Sequence, residues 1–454
     1  MKMKSVVTND ISYPLLPKFI STKNAKDYKT FPVVLVDEDD SSHSGLVFNV
    51  TTSIIGGGIM SIPATLQVLG IAPALMLIVI VAILSEISVD FLLRFTVKKT
   101  TYAGLMGESF GLAGSFALQI CILITNLGCL IIYLIVIGDV LSGTGGKLEH
   151  GRNVHMGILR EWFGNHWWNS RNFSMLFITI FVMLPLVLLK RIESLRYTSA
   201  VSVFLAVVFV SITMAMAIFS FWEGKQTTTR LLPDKDSSFS KLFTAVPIIV
   251  TAFTFQPNVH PIRAELSKPS DMTSAIRISL VICVAIYSIV GISGYQLFGD
   301  STMSDILSNF DENFSSTTKT WILTHIIRLS YAIHIMLVFP ILNFSLRVNV
   351  DELFFPRPKW PALSTHPIRF VSITCFLLLI VYVAAVVIPN IWYFFQFIGS
   401  TTSLCLALIF PSAIVLRDYH GVATRRDKVL AVLMITIAVV ASSIAISSNV
   451  ISLI

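Results

Sequence analysis

The chain has 454 residues, of which 54% are hydrophobic and only 13% are charged, and its mean hydropathy is +0.77. This composition excludes an ordinary soluble domain and predicts an all-α polytopic membrane protein. The net charge of +7 does not indicate a nucleic-acid-binding protein, because the basic residues lie in short loops between apolar segments.

The extramembrane segments carry no motif for catalysis or metal binding. They contain no nucleophile and base at a recognisable spacing and no Gly-rich phosphate loop. The five cysteines all fall inside apolar segments, where they provide neither a disulfide framework nor a metal site. The sequence therefore predicts that the chain is not an enzyme, binds no metal and needs no cofactor.

The chain begins with a polar segment, residues 1–45, which holds six lysines and is predicted to be a disordered cytosolic tail. Residues 46–448 form the predicted transmembrane domain, with eleven apolar segments that each suit a hydrocarbon core of about 30 Å. Spans 1 to 11 cover about 48–70, 74–97, 115–141, 173–189, 198–221, 242–262, 274–298, 321–346, 369–388, 391–416 and 429–448.

Span 1 is interrupted near its middle by Gly56, Gly57 and Gly58. A glycine triplet at this depth frees backbone N–H and C=O groups that lipid cannot satisfy. We therefore predict a discontinuous helix whose second half directs free N–H groups at an anionic ligand group. Thr52 and Ser53 precede the break and are candidate substrate contacts. The alternative is a kink that merely allows close helix packing.

Span 2 contains two acidic residues, Glu86 and Asp90, one helical turn apart, and Arg94 follows one turn later. Charged groups inside a membrane are costly and usually face a bundle interior or an aqueous cavity. We expect Asp90 to form a structural ion pair with Arg94. For Glu86, which lies deeper, a proton carrier and a structural role are both open.

Span 6 contains a second break, because it reads TAVPIIVTAFTFQPNVHPIRAEL and its prolines remove backbone donors around Phe255-Gln256-Pro257. The two broken segments are five spans apart and cross the membrane in opposite directions. This predicts an inverted repeat of spans 1–5 (about 46–221) and 6–10 (about 242–416), with span 11 (about 429–448) outside it. Substrate would lie between the breaks, where Thr251, Phe253 and Thr254 are candidate contacts and Phe253 and Phe255 are candidate gates.

Span 8 contains His325, Arg328 and His334. Histidine titrates close to neutrality, so this group could sense pH or carry a proton. The alternative is that backbone carbonyls and neighbouring helices satisfy these side chains. His334, near the middle of the span, is the second candidate for proton coupling beside Glu86.

The distribution of basic residues indicates the orientation. With a cytosolic N-terminus, the inner tail and loops hold 23 Lys and Arg residues and the outer loops hold 9. This bias predicts that the N-terminus is cytosolic and the C-terminus lumenal or extracellular.

The motifs FNVTTSIIGGGIMSIPATLQVLG and TFQPNVHPIRAEL resemble the amino acid/auxin permease family. Within it, the chain is most similar to the sodium-coupled neutral amino acid transporter branch and its plant vacuolar relatives. The resemblance covers nearly the whole chain after the tail. It implies an eleven-span amino acid transporter of the LeuT type and favours the vacuolar membrane over the plasma membrane or another endomembrane.

Together these features predict a secondary transporter whose partners are a neutral amino acid and the lipid bilayer. Its transport is expected to be independent of sodium and, if it is driven by an ion at all, to be driven by protons. Sodium is not expected, because Thr52 stands where the sodium-coupled branch has the second Asn of FNLSNAIVGSGI. Likewise, Met336 and Val338 stand where that branch has two threonines, and their side chains offer no hard oxygen ligand. A second hypothesis is an amino acid sensor that binds substrate and signals through its N-terminal tail.

Overall fold

A computed structural model of the chain describes residues 43–96, 101–143, 157–189, 195–224, 227–234, 242–264, 266, 270–310, 318–356, 363–388 and 391–453. The regular elements within these ranges are helices. The predicted tail lies outside the described residues except for its last three positions, which belong to the first helix.

The described α-helices, numbered in chain order, are α1 (His43–Ile54), α2 (Ile62–Leu69), α3 (Ile71–Phe95), α4 (Tyr102–Ser142), α5 (Ile158–Phe163), α6 (Arg171–Ile178), α7 (Leu184–Val187), α8 (Arg196–Trp222), α9 (Ala245–Ala252), α10 (Gln256–Ala264), α11 (Asp271–Phe298), α12 (Thr318–Phe354), α13 (Pro367–Val387), α14 (Ile391–Ile398), α15 (Phe410–Arg417) and α16 (Arg425–Leu453). Two pairs of these helices are joined by π-helical stretches. Thr179–Met183 lies between α6 and α7, and Gly399–Ser403 and Cys405–Ile409 lie between α14 and α15.

Eight described helices are long and apolar enough to cross a membrane, and a ninth span results if the bent pair His43–Ile54 and Gly57–Leu69 is counted as one. Predicted span 4 corresponds to the shorter apolar helix Arg171–Val187, and predicted span 6 to the short helices α9 and α10. The all-helical, multi-span architecture is thus confirmed, and the count of eleven stays a prediction.

The first segment bends by 49° between Ile54 and Gly57, where the glycine triplet begins. Gly56 is extended, and a 3₁₀ turn, Gly57–Ser61, then leads into α2. Pro63 lies in the first turn of α2, where a missing N–H costs no helical hydrogen bond. The sequence thus ends one helix and starts another inside a single apolar segment.

The bent segment lies deep in the bundle. Helix α1 packs against α8 and α11, while α12 packs against α4 and α8. The 3₁₀ turn contacts α9. These contacts place the first break among α4, α9, α11 and α12, whose side chains surround it.

Candidate substrate site

The glycine triplet permits close contacts with two other helices. A Cβ atom added at Gly56 would lie 1.8 Å from the Tyr133 hydroxyl oxygen, and one at Gly58 would lie 2.7 Å from the Ala252 Cβ. Both distances are far below van der Waals contact. The alternative of close packing therefore accounts for Gly56 and Gly58, and it also brings the first break directly against the end of α9.

Three buried tyrosines surround the break. The Tyr133 ring lies against Gly57, where an added Cβ atom would be 3.0 Å from its Cε1 atom. The Tyr331 hydroxyl donates to the Gly56 carbonyl oxygen at 2.7 Å, and the Tyr287 hydroxyl lies 2.8 Å from the Ile54 carbonyl oxygen. Sequence reasoning missed all three, and the available signal was only that each tyrosine falls inside a predicted span.

The second break lies between Ala252, the last residue of α9, and Gln256, the first residue of α10. The Ser85 hydroxyl donates to the Phe253 carbonyl oxygen at 3.4 Å. The predicted gates Phe253 and Phe255 are both fully buried, and the Phe253 ring packs edge-on against Tyr287. The structure thus brings the two predicted breaks together around Tyr287.

The predicted hydroxyl contacts already donate their hydrogens to backbone carbonyl oxygens. Thr52 donates to Ser199 of α8 at 3.2 Å. Ser53 donates to Val50 at 2.7 Å within α1, and Thr251 donates to Pro247 at 2.8 Å within α9. Thr254, in the second break, donates back to Val250 of α9 at 2.7 Å. Each oxygen keeps lone pairs, so these groups are suited to accept a hydrogen bond from an ammonium group.

Glu86 faces away from the second break. Its carboxylate pairs with the Arg277 guanidinium of α11 at 2.7 Å, and 38% of the Glu86 side chain is exposed. Ser85, the preceding residue, points at the second break, and successive residues of an α-helix point about 100° apart. Of the two roles left open for Glu86, the structural ion pair is the one that this position favours.

The predicted pair of Asp90 and Arg94 is present, with Asp90 Oδ2 2.7 Å from Arg94 Nε. Arg94 also pairs with Asp427 at the start of α16, at 3.0 Å. These groups therefore link α3 to α16.

His334 lies between α8 and the first break. Its Nδ1 is 2.8 Å from the Ser202 carbonyl oxygen and 2.9 Å from the Ser202 hydroxyl, and its ring also faces the backbone of Ile55. The Tyr331 ring lies 5.2 Å away, and His334 is fully buried. Of the two candidates for proton coupling, only His334 contacts the broken segment in the described part of the chain.

His325 and Arg328 form a buried cluster with Glu161, which lies between predicted spans 3 and 4. Glu161 of the short helix α5 lies 2.9 Å from Arg328 Nη1 and 2.7 Å from His325 Nε2. The His325 Nδ1 lies 2.8 Å from the Trp321 carbonyl oxygen. A carboxylate thus compensates the arginine charge and fixes α5 on α12.

Asp305, in the loop between α11 and α12, is a titratable group outside the membrane spans whose pKa is changed by burial. Burial raises the pKa of Asp305 to about 7, against the opposing effect of a hydrogen bond from the Leu307 N–H. Nearby Asp139 raises the pKa further, and Arg328 lowers it. The same loop accepts a hydrogen bond from the Ser61 hydroxyl at the Ser304 carbonyl oxygen, at 2.8 Å.

This raised pKa predicts that the folded protein is more stable in acid. Because the folded-state pKa of Asp305 is above the unfolded value of about 3.9, its contribution is fully present below that value and is lost as the pH rises through about 7. We expect the melting temperature to fall between about pH 4 and pH 7, and Asp305→Asn to flatten this slope. Asp234→Asn, at an exposed position, is the control; an unchanged slope in Asp305→Asn would contradict the assignment.

Comparison with known proteins places the chain in a family. Residues 39–453 match the protein family described as "Transmembrane amino acid transporter protein". The chain is 53% identical to "Amino acid transporter AVT6C" of Arabidopsis thaliana, over 91% of this chain and 94% of that one. It is 45% identical to "Amino acid transporter AVT6A" of the same plant, over 98% of this chain and 94% of that one.

Two solved structures share the fold. The manganese transporter of Eremococcus coleocola superposes with a TM-score of 0.54 at 15% identity, covering 90% of this chain and 87% of that chain. A Na⁺-coupled sialic acid symporter superposes with a TM-score of 0.51 at 11% identity, covering 90% of each chain. At such low identity these comparisons concern the helical architecture alone.

Proposed function

The chain belongs to the transmembrane amino acid transporter family, and from this premise we propose that it is a secondary transporter for neutral amino acids that works without sodium. The family predicted from two sequence motifs is thereby confirmed, and so is the prediction of a transporter rather than an enzyme. The observation that carries the proposal is the meeting of two helix breaks in the centre of the bundle, where Gly58 contacts Ala252.

We propose the LeuT-type architecture for this transporter, with eleven spans and two inverted halves of five. The bend of 49° in the first segment and the interruption between α9 and α10 support it, since each half would contribute one broken helix to the site. Membrane orientation remains as the charge distribution predicts, with a cytosolic N-terminus. Residence in the vacuolar membrane is supported by the family resemblance alone.

In this proposal the substrate lies between the breaks. Its carboxylate would meet the N–H groups of Gly56 to Gly58, beside the Tyr133 side chain. Its ammonium group would meet the lone pairs of the hydroxyl groups, since their hydrogens are already donated to backbone carbonyl oxygens. Those hydroxyl groups belong to Thr52, Ser53, Thr251 and Thr254. Phe253 and Phe255 would separate the substrate from solvent.

Counterflow of labelled amino acid in proteoliposomes tests the transport function directly. The purified chain should exchange external labelled alanine for internal unlabelled alanine, while liposomes without protein should not. An amino acid sensor would bind alanine without exchanging it. Binding without counterflow would therefore favour the sensor that signals through its tail and would contradict the transporter.

The side chain of the substrate is expected to be uncharged. Ion pairs in the described part of the chain engage Glu86, Asp90 and Arg94 away from the breaks, and an unpaired charge buried at the site would be costly. We expect alanine, glutamine and leucine to compete with labelled substrate at least about tenfold better than lysine or glutamate. A tenfold difference in affinity corresponds to about 1.4 kcal/mol of binding free energy. Stronger competition by lysine, aspartate or glutamate would contradict this specificity.

A further inference from the structure

The C-terminal ends of two helices converge on one side chain of α11, Tyr287. Its hydroxyl oxygen lies 2.8 Å from the carbonyl oxygen of Ile54, the last residue of α1, and 3.0 Å from that of Ala252, the last residue of α9. Tyr287 is fully buried. The hydroxyl therefore joins the two helix breaks at the centre of the bundle.

Two helix C-termini that point at one position create a negative potential there. The last carbonyl groups of a helix carry roughly half an elementary negative charge. In transporters with broken helices, such paired ends and unwound carbonyl groups hold the coupling cation. Here a phenol occupies the position. Its single hydrogen can satisfy only one of the two carbonyl oxygens at a time.

A second tyrosine hydroxyl forms a similar hydrogen bond with a neighbouring carbonyl group of the first break. The hydroxyl of Tyr331 donates to the Gly56 carbonyl oxygen at 2.7 Å, and Tyr331 is also fully buried. Its ring packs against Phe209 of α8, with ring centroids 5.2 Å apart. The carbonyl groups of Ile54 and Gly56, on either side of the bend, are thus both held by hydroxyl groups that the fold fixes in place.

From this geometry we propose that Tyr287 is a positioning residue that takes the place of a bound monovalent cation between the two breaks. The proposal rests on the proposed function and gives a structural reason for sodium independence. The phenol supplies a donor that is always present, so the ends of α1 and α9 assemble the substrate site without an ion. Removing the hydroxyl leaves two buried carbonyl oxygens beside the vacated position, where they would attract a small cation.

Tyr287→Phe tests this proposal, because it removes the hydroxyl and keeps the ring. The wild-type protein should exchange alanine equally fast in choline chloride and sodium chloride. Tyr287→Phe should be roughly tenfold slower in choline, the cost of an unsatisfied buried carbonyl group, and should recover severalfold in sodium. Sodium should also raise the melting temperature of detergent-solubilised Tyr287→Phe and leave that of the wild type unchanged.

Tyr295→Phe is the matched control, since Tyr295 is a buried tyrosine of the same helix whose hydroxyl oxygen accepts from the Arg230 N–H at 3.1 Å. It should show no sodium response. The proposal is overturned if Tyr287→Phe exchanges alanine at the wild-type rate in choline. It is also overturned if Tyr287→Phe is inactive and sodium does not change its melting temperature. If the wild type exchanges no amino acid in any salt, the proposed function fails, whereas the melting experiment still tests Tyr287.

Discussion

Gly57→Val is expected to abolish amino acid counterflow while the protein is still made and inserted. A Cβ atom at position 57 would lie 3.0 Å from Cε1 of Tyr133 and 3.4 Å from Cζ of Phe395. Valine adds two methyl groups and restricts the backbone of the break, and overpacking of this kind costs about 1–3 kcal/mol. The strain arises at the substrate site itself, and the valine side chain would also block the approach of a carboxylate to the backbone N–H groups. Counterflow normalised to the amount of reconstituted protein measures the effect.

Gly45→Ala is the control for this substitution, because Gly45 belongs to the same broken segment. A Cβ atom there would be 3.8 Å from Cβ of Arg196, which is ordinary contact, and alanine favours the helix. We expect wild-type counterflow from Gly45→Ala. If Gly57→Val shows wild-type counterflow at normal protein abundance, the assignment of the glycine triplet to the substrate site is wrong.

The positions of the breaks could be predicted because their signals are local. Three glycines in succession weaken a helix wherever it lies, and a proline such as Pro257 removes a backbone donor. The structure accordingly ends α1 at Ile54 and α9 at Ala252, within the segments that the sequence indicated. The contact between them through Gly58 follows from the tertiary packing and has no local signal.

The tyrosines of the site could not be predicted, because their importance depends on how the spans are rotated and which spans are neighbours. Tyr287 and Ile54 are 233 residues apart in sequence, and Tyr331 and Gly56 are 275 apart. A nearly uniform apolar pattern gives each span no preferred face that would reveal these pairs.

The same limit applies to the charged residues. Glu86 follows Ser85 directly, so one step around α3 separates a residue that contacts the break from one that pairs with Arg277, 191 residues away. Arg328 pairs with the carboxylate of Glu161, which lies on a short helix between predicted spans 3 and 4. The helical segments that carry Glu86 and Arg328 could be predicted from the sequence, whereas the directions of their side chains could not.

A second large effect is expected on the coupling of amino acid transport to protons. We expect transport to persist when choline replaces sodium and amino acid accumulation to collapse when a protonophore dissipates the pH gradient. In the sequence both Glu86 and His334 were candidate proton carriers. The structure pairs Glu86 with Arg277, whereas the His334 ring reaches from the Ser202 carbonyl oxygen to the backbone of the break at Ile55. The His334 Nε2 atom is buried without a hydrogen-bond partner among the described residues, so a proton taken up there would add a charged donor beside the broken segment.

His334→Asn separates coupling from binding, because an amide N–H can replace Nδ1–H as donor to the Ser202 carbonyl oxygen but cannot take up a proton. We expect it to lose pH-driven accumulation roughly tenfold or more and to retain counterflow, which needs no net proton movement. Glu86→Gln removes a partly exposed ion pair worth about 0–1 kcal/mol and should keep both activities within about fivefold. Strict sodium dependence of the wild type would contradict proton coupling. Uncoupling by Glu86→Gln together with normal accumulation by His334→Asn would instead identify Glu86 as the proton carrier.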